Sequence, residues 1–156
     1  MDNVPITKAG YDRLYEELER LRTVELQKNA GQILKAREFG DISENSEYTA
    51  AKEQQAFLSG RIQKLQEMLS SVQIVPTENL PSDRIVFGSK VKLEEVDTGR
   101  VGVYQLVGPY ESAPDKGLVS VTSPIGKALV GRAPGDVVEL KTPGGTKELE
   151  ILEILP

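Results

Sequence analysis

One run of residues constrains this chain more than any other. Tyr48, Ala51, Gln55, Leu58, Ile62, Leu65, Leu69 and Val72 follow one another at alternating steps of three and four. An α-helix brings such positions onto a single stripe, and a strand cannot. Sustained over about three and a half heptads, the stripe is a coiled-coil seam that needs a facing helix. Only Gln55 is polar in it. A partner lies just upstream. Thr7 is placed to cap a helix carrying Tyr11, Leu14, Leu18 and Leu21 at 3-4-3 spacing. The phase then slips and resumes at Leu26, Ala30 and Ile33, and Gly40 is placed to end the helix as a left-handed residue. This first helix spans about 32 residues, or about 48 Å at 1.5 Å per residue. Two long helices joined by a short turn run antiparallel. Folding about residue 43 sets Leu21 near Leu65 and Ile33 near Ala51. Such an arm is either a device that reaches into a space the body cannot enter or a plain dimerisation hairpin.

Composition changes beyond the arm. Eight of the nine prolines and ten of the 14 glycines fall after residue 75, so the second part reads as short strands and turns. Residues 76–82 read as a linker between an arm over 1–77 and a globular domain over 78–156. Strands are predicted at 84–87, 90–96, 101–107, 118–121, 136–141 and 147–155. A short helix is capped by Ser123, opens on Pro124 and stops at Gly131. The expected fold class is α+β: an antiparallel helical hairpin, then a twisted antiparallel β-sheet with one short helix packed on it.

The residues absent from the chain narrow its chemistry. There is no Cys, His or Trp. That excludes a disulfide scaffold, a thiolate or imidazole zinc site, a Cys nucleophile and any His-based triad. Only oxygen ligands remain, which suit Mg²⁺. A net charge of −5 argues against duplex DNA as the main ligand. No apolar run is long enough to cross a membrane, and the start lacks the basic and apolar regions of a signal peptide. The expected location is the cytoplasm.

The hairpin tip, residues 40–48, holds Asp41, Glu44 and Glu47 with no base among them. Asp41 and Glu44 fit a capping box for the second helix. A single cap needs one acid, however, and the tip has three. A pair of carboxylates is also half of a Mg²⁺ site that another protein could complete. Lys35, Arg37 and Lys52 lie close by, suited either to a phosphate backbone or to an ordinary solvated helix face.

The stretch Arg37-Glu-Phe-Gly-Asp-Ile-Ser-Glu-Asn-Ser-Glu-Tyr-Thr-Ala-Ala-Lys-Glu-Gln-Gln55 resembles the tip and descending helix of the bacterial GreA/GreB transcript cleavage factors. Ile6-Thr-Lys-Ala-Gly10, Val86-Phe-Gly88, Ser123-Pro-Ile125, Ala128-Leu-Val-Gly131 and Lys141-Thr-Pro-Gly-Gly145 extend the likeness over nearly the whole chain. The acidic balance is closer to GreA than to GreB. The resemblance implies a coiled-coil arm and an FKBP-like domain. It also implies a partner, RNA polymerase, gripped by a coiled coil of its largest catalytic subunit at the rim of the secondary channel. Ser123, Pro124 and Ile125 match the region that meets the polymerase. Asp41 and Glu44 match the acids that assist a polymerase Mg²⁺ in hydrolysing backtracked RNA. Arg37 and Lys52 match the patch that handles the RNA 3′ end. The implied protein is a monomer that is not itself an enzyme and has no tightly bound cofactor, only Mg²⁺ shared with the polymerase. Ser43 departs from the family, whose GreA members often carry a base there. The alternative is a paralogue that binds the secondary channel without stimulating cleavage. Its denser acid cluster fits the Glu-Asn-x-Glu-Tyr pattern poorly. An independent prolyl isomerase is disfavoured, because residues 78–156 offer only Phe87, Tyr104 and Tyr110 to line a pocket.

Overall fold

The computed structural model of the chain describes residues 3–38 and 45–156. Helix α1 (Lys8–Arg20) opens where Thr7 was expected to cap it. The Gly10 N–H donates to Thr7 Oγ1 at 3.0 Å. A π-helical turn, Leu21–Glu25, follows directly, and α2 (Leu26–Arg37) continues from it without a break. The π turn accounts for the slip in phase. Leu14 and Leu18 are buried before it, Leu21 at its start, and Asn29, Ile33 and Ala36 after it. A strict heptad from Leu14 would continue through 25, 28, 32 and 35, one short of each observed position. One surplus residue in an unbroken α-helix turns the stripe by about 100°. The wider π turn absorbs that residue and returns the stripe to the seam.

Helix α3 (Ser46–Ser71) buries Ala51, Leu58 and Leu65 from the predicted seam. Tyr48, Gln55, Ile62 and Leu69 of that stripe are half-buried, whereas Val72, read as its last position, lies beyond the helix in a strand. The pairing between the helices differs from the expectation. Ala51 faces Asn29, whose Nδ2 donates to the Ala51 carbonyl at 2.9 Å. Ile33 had been set opposite it. Ala30, assigned to the seam, is exposed, and Asn29 takes its place at 2% exposure. A polar residue thus bonds across the seam, which an apolar pattern does not report. Glu17 and Arg61 join the helices nearer the base by two bonds of 2.8 Å. The stop assigned to Gly40 lies outside the described residues.

The remaining described elements are two sheets, a short helix and two 3₁₀ turns at Pro109–Glu111 and Pro114–Lys116. Strands β1 (Val4–Ile6) and β2 (Val72–Ile74) form a parallel two-stranded ribbon, with Val4 opposite Val72. The second sheet holds β3 (Lys90–Glu95), β4 (Val101–Val107), β5 (Leu118–Ser120), β6 (Val137–Thr142) and β7 (Gly145–Leu155). Their spatial order is β5-β4-β3-β7-β6. The sheet is mixed where a fully antiparallel one was expected, because β5 runs parallel to β4. Residues 84–87 form no strand. Ile85 is buried, but its backbone bonds Gly131 and Arg132 in the turn after the short helix. That helix, α4 (Pro124–Leu129), opens on Ser123, whose Oγ accepts from the Gly126 N–H. Gly131 follows it at φ +86°, as the stop signal required. Ile85, Val91, Leu93, Leu106, Leu129, Val138, Leu149 and Ile151 make the core of this part.

By their internal contacts the residues fall into two units. One is Met1–Gly10 together with Val72–Pro156, and the other is Tyr11–Ser71. This differs from the division at residue 77, because β1 and β2 bond each other and cluster with the sheet unit. Among the described residues no helix is long and apolar enough to cross a membrane.

Candidate functional site

Two places carry the expected functional residues. At the far end of the hairpin, Asp41 and Glu44 lie outside the described residues. What surrounds them is described. Asn45 is the N-cap of α3: its Oδ1 accepts from the N–H groups of Glu47 at 3.0 Å and Tyr48 at 3.2 Å. Its Nδ2 donates to the Ala36 carbonyl at 2.6 Å, tying the start of α3 to the end of α2. One Asn side chain thus satisfies exposed helix-start donors and closing carbonyls at once. The capping role read for Asp41 and Glu44 lies outside the described residues; among the described ones Asn45 caps α3. The Asn-x-x-Tyr spacing held that signal, since Asn is among the best N-caps.

Arg37 ends α2 with its guanidinium 5.9 Å from the centre of the Tyr48 ring, a cation–π distance that restrains the exposed side chain. Lys52 is also exposed and donates to Gln55 Oε1 at 2.8 Å. Arg37 and Lys52 therefore stand on facing helices of the same hairpin end. Between α2 and α3 lies an open groove of about 470 Å³ lined by Gln32, Lys35, Ala36, Glu47, Ala51 and Gln54. Its walls mix the polar heads of Gln32, Lys35, Glu47 and Gln54 with the methyls of Ala36, Ala50 and Ala51. Among the described residues no group of three acidic side chains is placed to hold a metal.

The second place is the start of α4. Ser123 caps, Pro124 is exposed at the first helical position, and Ile125 packs on the core from the edge of α4. Ile125 also lines a recess of about 260 Å³ with Leu93, Tyr104, Leu140 and Leu149. Charged groups rim this apolar floor. Lys147 Nζ lies 3.4 Å from Glu95, which also accepts from the Thr98 hydroxyl at 2.8 Å. The Thr98 bond first, then Lys147, hold the Glu95 carboxyl below its ordinary range. Arg100 completes the rim. An apolar pocket with a mixed-charge edge is the form of a protein docking surface.

Sequence reasoning passed over one buried group altogether. Glu111, 7% exposed, accepts from the Thr7 N–H at 2.8 Å, from the Thr7 hydroxyl and from the Gly108 N–H at 2.9 Å. A glycine in the first turn of a helix, Gly10, was the available signal.

Comparison with known proteins covers the chain from end to end. Residues 4–74 match the family described as transcription elongation factor, N-terminal, and residues 80–156 match transcription elongation factor, GreA/GreB, C-term. The curated transcription elongation factor GreA of Syntrophus aciditrophicus is 49% identical over 99% of this chain and 96% of its own. That of Syntrophobacter fumaroxidans is 47% identical over 99% of each. Among solved structures, GreA factor homolog 1 of Thermus thermophilus is 36% identical over 99% of both chains, with a TM-score of 0.44. Two consecutive family matches and relatives approaching half identity over the full length place the chain in the GreA/GreB family of transcription elongation factors.

Proposed function

We propose that this chain docks on bacterial RNA polymerase in the cytoplasm and stimulates the polymerase's own cleavage of backtracked RNA. The cap formed by Asn45 carries this reading. With the first N–H groups of α3 satisfied by an amide, the acids just before it are not needed to start the helix. Asp41 and Glu44 are then surplus charge at the end of a long hairpin, where a group is best placed for delivery. Two carboxylates cannot fill the six oxygen positions of Mg²⁺, so they fit as part of a shell that the polymerase completes. A second Mg²⁺ held there supplies positive charge against the attacking and leaving oxygens of phosphodiester hydrolysis. The chain's own part is to present the carboxylates and to hold the displaced RNA 3′ end through Arg37 and Lys52. The recess beside Ile125, together with Ser123 and Pro124 at the start of α4, takes the coiled coil of the largest catalytic subunit at the secondary-channel rim. In this reading the protein is a monomeric cofactor of the polymerase and not an enzyme by itself.

The test adds the purified chain to a polymerase complex backtracked on its template. The retained transcript is expected to shorten from its 3′ end and to extend again on nucleotide addition. Binding without shortening would overturn the cleavage reading.

A further inference from the structure

We infer that Glu111 is a positioning residue that fastens the first turn of α1, and that tip delivery by the hairpin depends on it; this second clause rests on the function proposed above. The carboxylate stands at the N-terminal end of α1, where backbone donors and the helix dipole favour an anion. Thr7 caps the helix through its hydroxyl oxygen while donating both its O–H and its N–H to Glu111. The cap residue is therefore itself held by a side chain 104 positions away. Glu111 is fixed from its own side as well, by the Gly108 N–H one turn earlier.

The surroundings leave no slack. A Cβ on Gly10 would lie 2.1 Å from Glu111 Oε1, inside any real contact distance. A Cβ on Gly108 would lie 1.9 Å from the Pro5 carbonyl and 3.2 Å from Glu111 Oε2. Two glycines thus clear the space into which the carboxylate fits. The β1–β2 ribbon holds the same region from the other side, and the Val75 N–H adds a bond to the Ile6 carbonyl at 2.9 Å. From this fixed turn α1 runs on without interruption through the π turn into α2. The turn that Glu111 holds is thus the first turn of the helix that leads to Arg37. Neither the family's acidic tip nor its docking motif includes Glu111.

The experiment uses the full chain and four variants: Glu111→Gln, Glu111→Ala, Gly10→Ala and Thr7→Ser. Gln keeps the shape but loses the charge: with its oxygen on the two N–H donors, its N–H₂ meets the Thr7 hydroxyl, which must give up its donation. Gly10→Ala evicts the carboxylate without altering it. Thr7→Ser keeps both donors and serves as the conservative control. Amide hydrogen exchange at residues 4–10 is expected to rise about tenfold or more in the first three variants and to stay unchanged in Thr7→Ser. Exchange at residues 58–65 stays unchanged in all four, which shows that the hairpin remains folded. In the backtracked-complex assay the first three variants lose about tenfold in maximal RNA shortening, with the half-saturating protein concentration unchanged. Unaltered exchange at residues 4–10 would overturn the clamp. Raised exchange with full maximal shortening, or a defect confined to the half-saturating concentration, would overturn the positioning role. If the unmodified chain shortens no RNA, the proposed function fails, and the exchange comparison alone decides the clamp.

Discussion

Replacing Asn29 with Leu should make the hairpin more stable, and Asn29→Asp should make it much less so. Asn29 is 2% exposed, and its Oδ1 has no donor among the described residues. A buried, unsatisfied carbonyl of this kind costs about 1–3 kcal/mol. The amide recovers about 1 kcal/mol through its bond to Ala51. That carbonyl belongs to a mid-helix residue and keeps its intrahelical donor when Asn29 is lost. A leucine removes the orphan and buries about 2 kcal/mol of apolar surface, against an overpacking penalty of about 1 kcal/mol or more. The net gain is about 1–3 kcal/mol, with a melting-temperature rise of about 4–8 °C for each kcal/mol in a unit of this size. Asp places an unpaired charge at the same point and should cost about 3 kcal/mol or more. Thermal unfolding followed by far-ultraviolet circular dichroism reads both. If Oδ1 in fact had a donor, Leu would destabilise. A lower melting temperature for Asn29→Leu would therefore refute the reasoning.

Other perturbations follow from the same geometry. The Glu17 carboxyl is held below its ordinary value of 4.5, first by its hydrogen bond from Arg61. The pair therefore stabilises the hairpin above that pH and ceases to as pH falls through the lowered value. Because the pair is about one-third exposed, its worth is only about 0.5–1 kcal/mol. Urea unfolding of Arg61→Ala against the parent should show that difference at pH 7 and a shrinking one as pH falls below 4.5, and a difference undiminished in acid would contradict the assignment. Deleting Thr23 should convert the π turn to α-helix and change stability by no more than about 1 kcal/mol, because it removes the surplus residue. Deleting Lys64 from the regular α3 should destroy the seam, and equal damage from both deletions would refute the adaptor role. Pro124→Ala and Ile125→Asp should raise the protein concentration that half-saturates the polymerase while leaving maximal cleavage intact; unchanged half-saturation in folded variants would move the docking surface elsewhere.

Much of this architecture is legible along the chain because it depends on local periodicity and end signals. The α3 seam, strand β4 and the Ser123, Pro124 and Gly131 punctuation of α4 all stand where the pattern put them. Features fixed by distant partners are not legible. Strands β1 and β2 are three residues each, too short to alternate visibly, and exist because they bond each other. Ile85 and Val86 look like strand residues, but their neighbour Gly88 stands at φ +90° and the backbone of Ile85 serves the turn after α4. The parallel pairing of β5, the seam position of Asn29 and the clamp at Glu111 are likewise tertiary choices. At the hairpin end, Arg37 and Lys52 stand on facing helices, and the cap supplied by Asn45 was passed over in favour of the acids beside it.

The most direct measurement is RNA shortening in a backtracked polymerase complex across a Mg²⁺ titration, with the parent chain compared to Asp41→Asn and Glu44→Gln. Neither change disturbs the Asn45 cap, so both variants should keep the fold and polymerase binding. If the tip acids help to hold the metal, each variant loses most stimulated cleavage at low Mg²⁺ and regains part of it as Mg²⁺ rises, since mass action offsets weakened affinity. Lys52→Ala, which removes a phosphate contact, should show no such rescue. Full activity of Asp41→Asn and Glu44→Gln at low Mg²⁺ would contradict a metal-assisting tip.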